Sequence, residues 1–129
     1  MPERMKILHL PLKAEWYRMI ESGEKTEEYR EIKPYWLKRL LRSDWPTPNK
    51  KIDNFCASFY CNNKNALTRH LRSGNFIAAP YTHIRFHYGY TKRTMFYKIR
   101  KIIIGRGKPE WGAPLDRYVF IIELGNRIK

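Results

Sequence analysis

Acidic residues are what this chain has least of where they would matter most. Between Asp53 and Glu110 there is no Asp or Glu at all, while Lys64, Arg69, Arg72, Arg85, Lys92, Arg93, Lys98, Arg100, Lys101, Arg106 and Lys108 all fall inside that interval. Over the whole chain 26 Lys and Arg face 12 Asp and Glu, a formal charge of +14. Cysteine is equally scarce. Cys56 and Cys61 are too few for a disulfide framework and fit a reducing compartment. No apolar run approaches the ~18 residues that span a bilayer, and no signal-peptide core opens the chain. A cytoplasmic protein without a membrane partner is therefore expected. No Gly-x-Ser-x-Gly elbow and no Gly-x4-Gly-Lys phosphate loop occur, so the common serine-hydrolase and nucleotide-triphosphatase signatures are missing.

At 129 residues the chain has the size of one domain, taken here as 1–129, and a monomer is expected. An acid-free block interleaved with Tyr and Phe is the charge pattern of a surface that meets phosphates. On that pattern Arg85, Lys92, Arg93, Arg100, Lys101 and Arg106 are the expected phosphate contacts. A nucleic acid, RNA or DNA, or another polyanion is the partner expected from this pattern. A solvated basic surface that serves solubility alone is the plain alternative.

Cys56-x4-Cys61 followed by His83-x3-His87 invites a zinc reading, but the spacing opposes it. Residues four apart on a strand lie ~13 Å from each other, whereas zinc holds each imidazole at ~2 Å. No metal and no cofactor are expected.

Along the chain, Lys6–Leu10 reads as a strand ending at Pro11. Leu12–Ser22 reads as a helix with Leu12, Trp16, Met19 and Ile20 on one apolar stripe and Gly23 just past its end. On this pattern Trp16 belongs to the core. Pro34 opens a second short helix running to about Leu41. Trp45–Pro48 is a loop, Ile52–Tyr60 a strand, and Asn63–Ser73 a short basic helix. Thr82–Tyr90 alternates as a strand, with Ile84, Phe86 and Tyr88 on one face and His83, Arg85 and His87 on the other. Thr94–Ile104 is a longer strand whose apolar phase slips near Arg100 and Lys101, the mark of a β-bulge. Gly105–Pro114 is turn-rich. Arg117–Leu124 is a last strand with Tyr118, Phe120, Ile122 and Leu124 facing inward. The order fits an α+β fold, a small mixed barrel with helices at its ends.

Between the first helix and Pro34 lies GEKTEEYR, Gly23 to Arg30, with Lys25, Glu27, Glu28 and Arg30 crowded into six residues. Three explanations are open: a solvated edge strand, an ion-pair lattice, or a ligand pocket. In a dry pocket a lysine can act as base and a glutamate can shuttle protons. Lys25 and Glu28 are the catalytic candidates if the protein is an enzyme.

Gly23-x-Lys25-x-x-Glu28-x-Arg30 after an amphipathic helix resembles the signature of the ASCH domain, a family of the PUA-like superfamily. KILHLPLKAEWYRMIESGEKTEEYREIKPYW, Arg85-Phe86-x-x-Gly89-Tyr90, GKPEWGAP and the closing VFIIELG extend the likeness to its small microbial and phage-associated branch. The resemblance implies a small PUA-like β-barrel flanked by short helices, with a cleft floored by Lys-x-x-Glu-x-Arg. It also implies an RNA- or nucleotide-binding module whose ligand-binding residues would be Gly23, Lys25, Glu28, Arg30, Tyr90, Glu110 and Trp111. Glu28 would accept hydrogen bonds from an exocyclic amine. Tyr29, Tyr90 and Trp111 are stacking candidates, while Tyr88 shares the apolar face of its strand. Some relatives resemble amidohydrolases of acylated cytidines. Lys25 matches their lysine, but Glu28 stands where they carry threonine. The alternatives are thus such a hydrolase, a ribonuclease, or a basic adaptor for an acidic protein.

Overall fold

The computed structural model describes residues 5–40 and 79–129. The loop, strand and basic helix expected between Trp45 and Ser73, and both cysteines, lie outside the described residues. Within them the chain forms a small α+β fold on one curled, half-barrel sheet of five strands. The strands are β1 (Ile7–Leu12), β2 (Glu27–Arg30), β3 (His83–Tyr88), β4 (Thr94–Gly105) and β5 (Val119–Arg127), in the order β1-β3-β4-β5-β2. Only the β1–β3 pair is parallel. Two helices, α1 (Ala14–Glu21) and α2 (Pro34–Leu40), follow β1 and β2. No helix among the described residues is long and apolar enough to cross a membrane.

β1 runs through Pro11 instead of stopping there. Among the described residues it is an edge strand, and an edge tolerates the missing N–H of proline. Leu8, Leu10 and Leu12 alternate inward and are buried. The helix then begins later than the sequence pattern suggests, with Lys13 as N-cap. Leu12 is thereby left in β1, the buried residues of α1 are Tyr17 and Ile20, and Trp16 is half-buried. Trp16 is therefore not the core residue expected.

The C-terminal end of α1 is closed by a chain of short bonds. Ser22 N–H donates to Arg18 O at 2.9 Å, Gly23 N–H to Ile20 O at 3.0 Å, and Lys25 N–H to Met19 O at 3.0 Å. Gly23 holds φ +88°, a conformation that suits glycine, so its expected place after the helix is confirmed. Lys25 thereby belongs to the turn, and β2 starts only at Glu27.

The phase slip expected in the fourth strand is present. The β4–β5 register shifts between Tyr97 and Ile99 and again between Ile99 and Lys101. Met95, Tyr97 and Ile102 join Leu10, Tyr17, Ile20, Ile84, Phe86, Phe120 and Ile122 in the main core. A fully buried Phe such as Phe86 or Phe120 contributes roughly 1.5–3 kcal/mol over leaving it exposed.

β5 differs from its expected one-sided pattern. Phe120 and Ile122 face the main core, but Val119 and Ile121 are buried too, in a second cluster with Tyr29 and Ala113. The segment from Gly105 to Tyr118 supplies Ala113 and Trp111 to that second cluster and covers what would otherwise be a wet face. Its middle is a 3-10 turn, Pro109–Trp111, ended by Gly112 at φ +99°. This two-sided burial of β5 and its neighbour β2 is what encloses the charged stretch.

Candidate functional site

Lys25 and Glu28 are 2% and 4% exposed, the two buried charged residues among the described ones. The turn after α1 fixes the lysine backbone, and β2 carries the glutamate beside Ile122 of β5. Lys25 Nζ donates to Glu28 Oε1 at 2.9 Å and to the Trp111 carbonyl at 2.7 Å. Glu28 Oε1 also accepts the Tyr29 N–H at 3.1 Å. Arg30 Nη1 stands 3.2 Å from Glu28 Oε2 and donates to the Tyr29 carbonyl at 2.7 Å. One carboxylate thus lies between two cations. Charges taken out of water persist when they are paired and hydrogen-bonded in this way.

Aromatic rings frame the array. The Lys25 ammonium lies 4.6 Å from the Trp16 ring centroid and 5.5 Å from that of Tyr29, and the Arg30 guanidinium lies 5.2 Å from Trp36. Such cation–aromatic contacts add ~0.5–2 kcal/mol apiece and fix orientation. Tyr29 OH donates to Glu27 Oε1 at 2.8 Å and accepts the Lys108 N–H at 3.0 Å, which ties the covering segment to β2. Burial pushes the Tyr29 phenol well above its usual range; the Lys108 N–H opposes that rise and the Glu27 carboxylate adds to it. Gly107 is required where it packs on this ring, because a Cβ there would come within 2.5 Å of Tyr29 Cε1.

These groups open onto a cavity of about 280 Å3 lined by Pro11, Leu12, Lys13, Trp16, Lys25, Glu28, Tyr29, Arg30, Trp111 and Gly112. A second hollow of about 290 Å3 adjoins it and shares Tyr29, Arg30 and Gly112. The first volume sits at the lower edge of the ~300–1,000 Å3 typical of small-molecule sites, enough for one ring system and its substituents. Solvated edge strand is thus excluded as the explanation of the charged stretch. Ion-pair lattice and pocket wall are both present, made by the same side chains.

Of the residues singled out in the sequence, Lys25, Glu28, Arg30 and Trp111 come together here. Gly23 shapes the turn behind Lys25 but does not line the cavity. Glu110 is exposed on the 3-10 turn outside the lining. Tyr90 is 98% exposed on the β3–β4 turn and is likewise not part of the wall. Glu28 has little capacity left for an exocyclic amine, since Lys25, the Tyr29 N–H and Arg30 already surround its oxygens.

The expected phosphate contacts are dispersed, and several have partners within the chain. Arg93 Nη2 meets both oxygens of Glu21, at 2.8 and 2.9 Å. Lys101 lies 3.5 Å from Glu123, and Arg106 donates to the Leu115 carbonyl at 3.0 Å. Arg85 packs 4.5 Å from the Phe96 ring and reaches Thr94 Oγ1 at 3.3 Å. Lys92 and Arg100 are exposed. The turn that carries Lys92 and Arg93 is joined to the cavity rim by the Gly89 N–H, which donates to the Leu12 carbonyl at 2.9 Å.

Three features escaped the sequence. Trp16 lines the cavity, which its place on an apolar stripe did not announce. Lys13 stands at the mouth, and nothing in the pattern distinguished it from other surface lysines. On the far face of β1 and β3, His9 Nδ1 and His87 Nε2 lie 3.2 Å apart. His87 therefore pairs with His9, while His83 stacks on Phe96 with ring centroids 5.1 Å apart. His83 and His87 thus face different neighbours.

No protein-family model, curated protein or solved structure matches the chain.

Proposed function

We propose that the protein is a nucleic-acid- or nucleotide-binding module, an ASCH-type domain of PUA-like architecture, in which a base enters the cavity over Lys25, Glu28 and Arg30. The observation that carries this reading is the buried cation–carboxylate–cation array set into an aromatic-lined cavity of about 280 Å3. A cavity with apolar ring walls and few fixed polar groups is suited to a flat, polar heterocycle. Lys13 at the mouth and Lys92 on the neighbouring turn are exposed cations that can meet the attached phosphates. The curled α+β sheet and the charge of +14 agree with this assignment.

The reading is tested by titrating tryptophan fluorescence with nucleoside monophosphates and short single-stranded RNA, for the wild type and Trp111→Ala. Saturable quenching that weakens about fivefold or more in the variant is expected. Base stacking is worth ~1–3 kcal/mol, so a variant that binds as well as the wild type would overturn the reading.

One observation favours a second reading. A lysine and a carboxylate at 2.9 Å, buried beside a cavity, are a proton-transfer pair in reach of a bound substrate. A hydrolase acting on a modified nucleoside would use them as acid and base. Steady turnover that Lys25→Ala abolishes in a folded protein would establish it, and binding without turnover would exclude it.

A further inference from the structure

Among the side chains of the wall, cations outnumber carboxylates. Three cations, Lys13, Lys25 and Arg30, line the cavity against a single carboxylate. Glu28 Oε1 already accepts two bonds and Oε2 faces Arg30. Lys25 has used two of its three donors, on Glu28 and Trp111. Arg30 has committed Nη1 to both Glu28 and the Tyr29 carbonyl, while Nε and Nη2 donate to no described residue. Those two N–H groups lie side by side on one edge of the guanidinium, a parallel fork that matches two adjacent acceptors. The guanidinium is anchored at Nη1 by Glu28 and the Tyr29 carbonyl and lies 5.2 Å from the Trp36 ring centroid.

Resting on the nucleotide-binding reading above, we infer that the cavity selects guanine, with Arg30 Nε and Nη2 donating to O6 and N7. Guanine carries those two acceptors next to each other with no amine on the same edge. Adenine sets an N6 amine beside N7, which would point N–H at N–H. Uracil separates its two carbonyls by an N–H. Cytosine also has adjacent acceptors, in O2 and N3, but as a single ring it covers less of the Trp16 and Trp111 surface than a purine does. Trp16 and Trp111 supply the apolar surface against which the larger purine ring rests, and Lys13 is placed for the phosphate.

The test uses GMP, AMP, CMP, UMP and 7-deaza-GMP with the full chain, followed by tryptophan fluorescence and calorimetry at low salt. GMP is expected to bind about tenfold or more tighter than the other three natural nucleotides, the discrimination one bidentate contact gives. On the unaltered protein, 7-deaza-GMP, which lacks the N7 acceptor, should lose most of that advantage. Arg30→Lys, which keeps the charge and removes the fork, should bind all four natural nucleotides within about threefold of one another. Equal affinity for the four nucleotides in the wild type, a preference for AMP, CMP or UMP, or full retention by 7-deaza-GMP would overturn the guanine assignment and leave nucleotide binding standing. Absence of binding by every nucleotide would remove both. Inorganic phosphate competing as well as GMP would show that the cavity holds an anion and not a base.

Discussion

Removing the carboxylate of Glu28 is the most damaging single change to the charged array, and the structure says by how much. In Glu28→Ala two cations, Lys25 at 2% exposure and the partly covered Arg30, lose their shared counter-charge, and the Tyr29 N–H loses its acceptor. Breaking a buried ion pair from one side costs ~3–5 kcal/mol, because the surviving charge stays desolvated. For a chain of this size such a loss lowers the melting temperature by roughly 10–20 °C. Lys25→Met is milder. It leaves Glu28 with Arg30 and the Tyr29 N–H, so ~1–3 kcal/mol is expected, close to the loss of one charged hydrogen bond and its packing. The double variant Lys25→Met/Glu28→Leu replaces the pair by apolar volume and should recover part of the Glu28→Ala loss. Urea titration with a constant slope, supported by calorimetry, measures all three. A Glu28→Ala protein within 1 kcal/mol of wild type, or a Lys25→Met protein more damaged than Glu28→Ala, would refute the view that this carboxylate is the centre of the array.

Three further outcomes follow from particular contacts. Gly107→Ala forces Tyr29 aside, since the new Cβ would lie 2.5 Å from Cε1 and 2.7 Å from Ala113 Cβ; a loss of ~1–3 kcal/mol by urea titration is expected, with weaker nucleotide binding. Burial pushes the Tyr17, Tyr29 and Tyr97 phenols up, so the unfolded chain ionises first near pH ~10 and stability should fall as pH rises from there. Ultraviolet titration should then show a tyrosine fraction that ionises only as the fold is lost; a single transition near ~10 for every tyrosine in the folded protein would contradict this. Burial, with His9 and Arg85 close by, pushes the His87 imidazole down, so its contribution is present above the unfolded value of ~6.5 and is lost as pH falls through the folded value. His87→Gln should flatten that acid limb of stability, and an unchanged limb would show that the histidine pair does not control it.

How much of this could be read in the sequence depends on the range of the interaction. The β4 bulge, the Gly23 turn and the crowding of Lys25, Glu28 and Arg30 are local, and each was legible from residue order alone. Trp16 is misplaced by the sequence pattern because Leu12, which helped define the expected stripe, belongs to β1, and the buried face of α1 is carried by Tyr17 and Ile20. The two-sided burial of β5 depends on a loop folding over it, which an alternating pattern does not announce. The basic block looked unopposed only along the chain. In space, acids from outside it return to meet it, Glu21 at Arg93 and Glu123 at Lys101. His9 meets His87 because β1 and β3 pair in parallel across a long crossover, a neighbour relation that needs the strand order.

The central claim is that the cavity and the cations around it act together on a nucleic acid. It is tested most directly by measuring affinity for labelled single-stranded RNA across a salt series, with the wild type and Trp111→Ala. Log affinity should fall linearly with log salt at about −0.7 per phosphate contact. The variant should keep that slope and lose about fivefold or more in affinity at every salt concentration, since it removes a stacking surface and no charge. A variant line that coincides with the wild type would contradict the claim, and so would the absence of binding at the lowest salt.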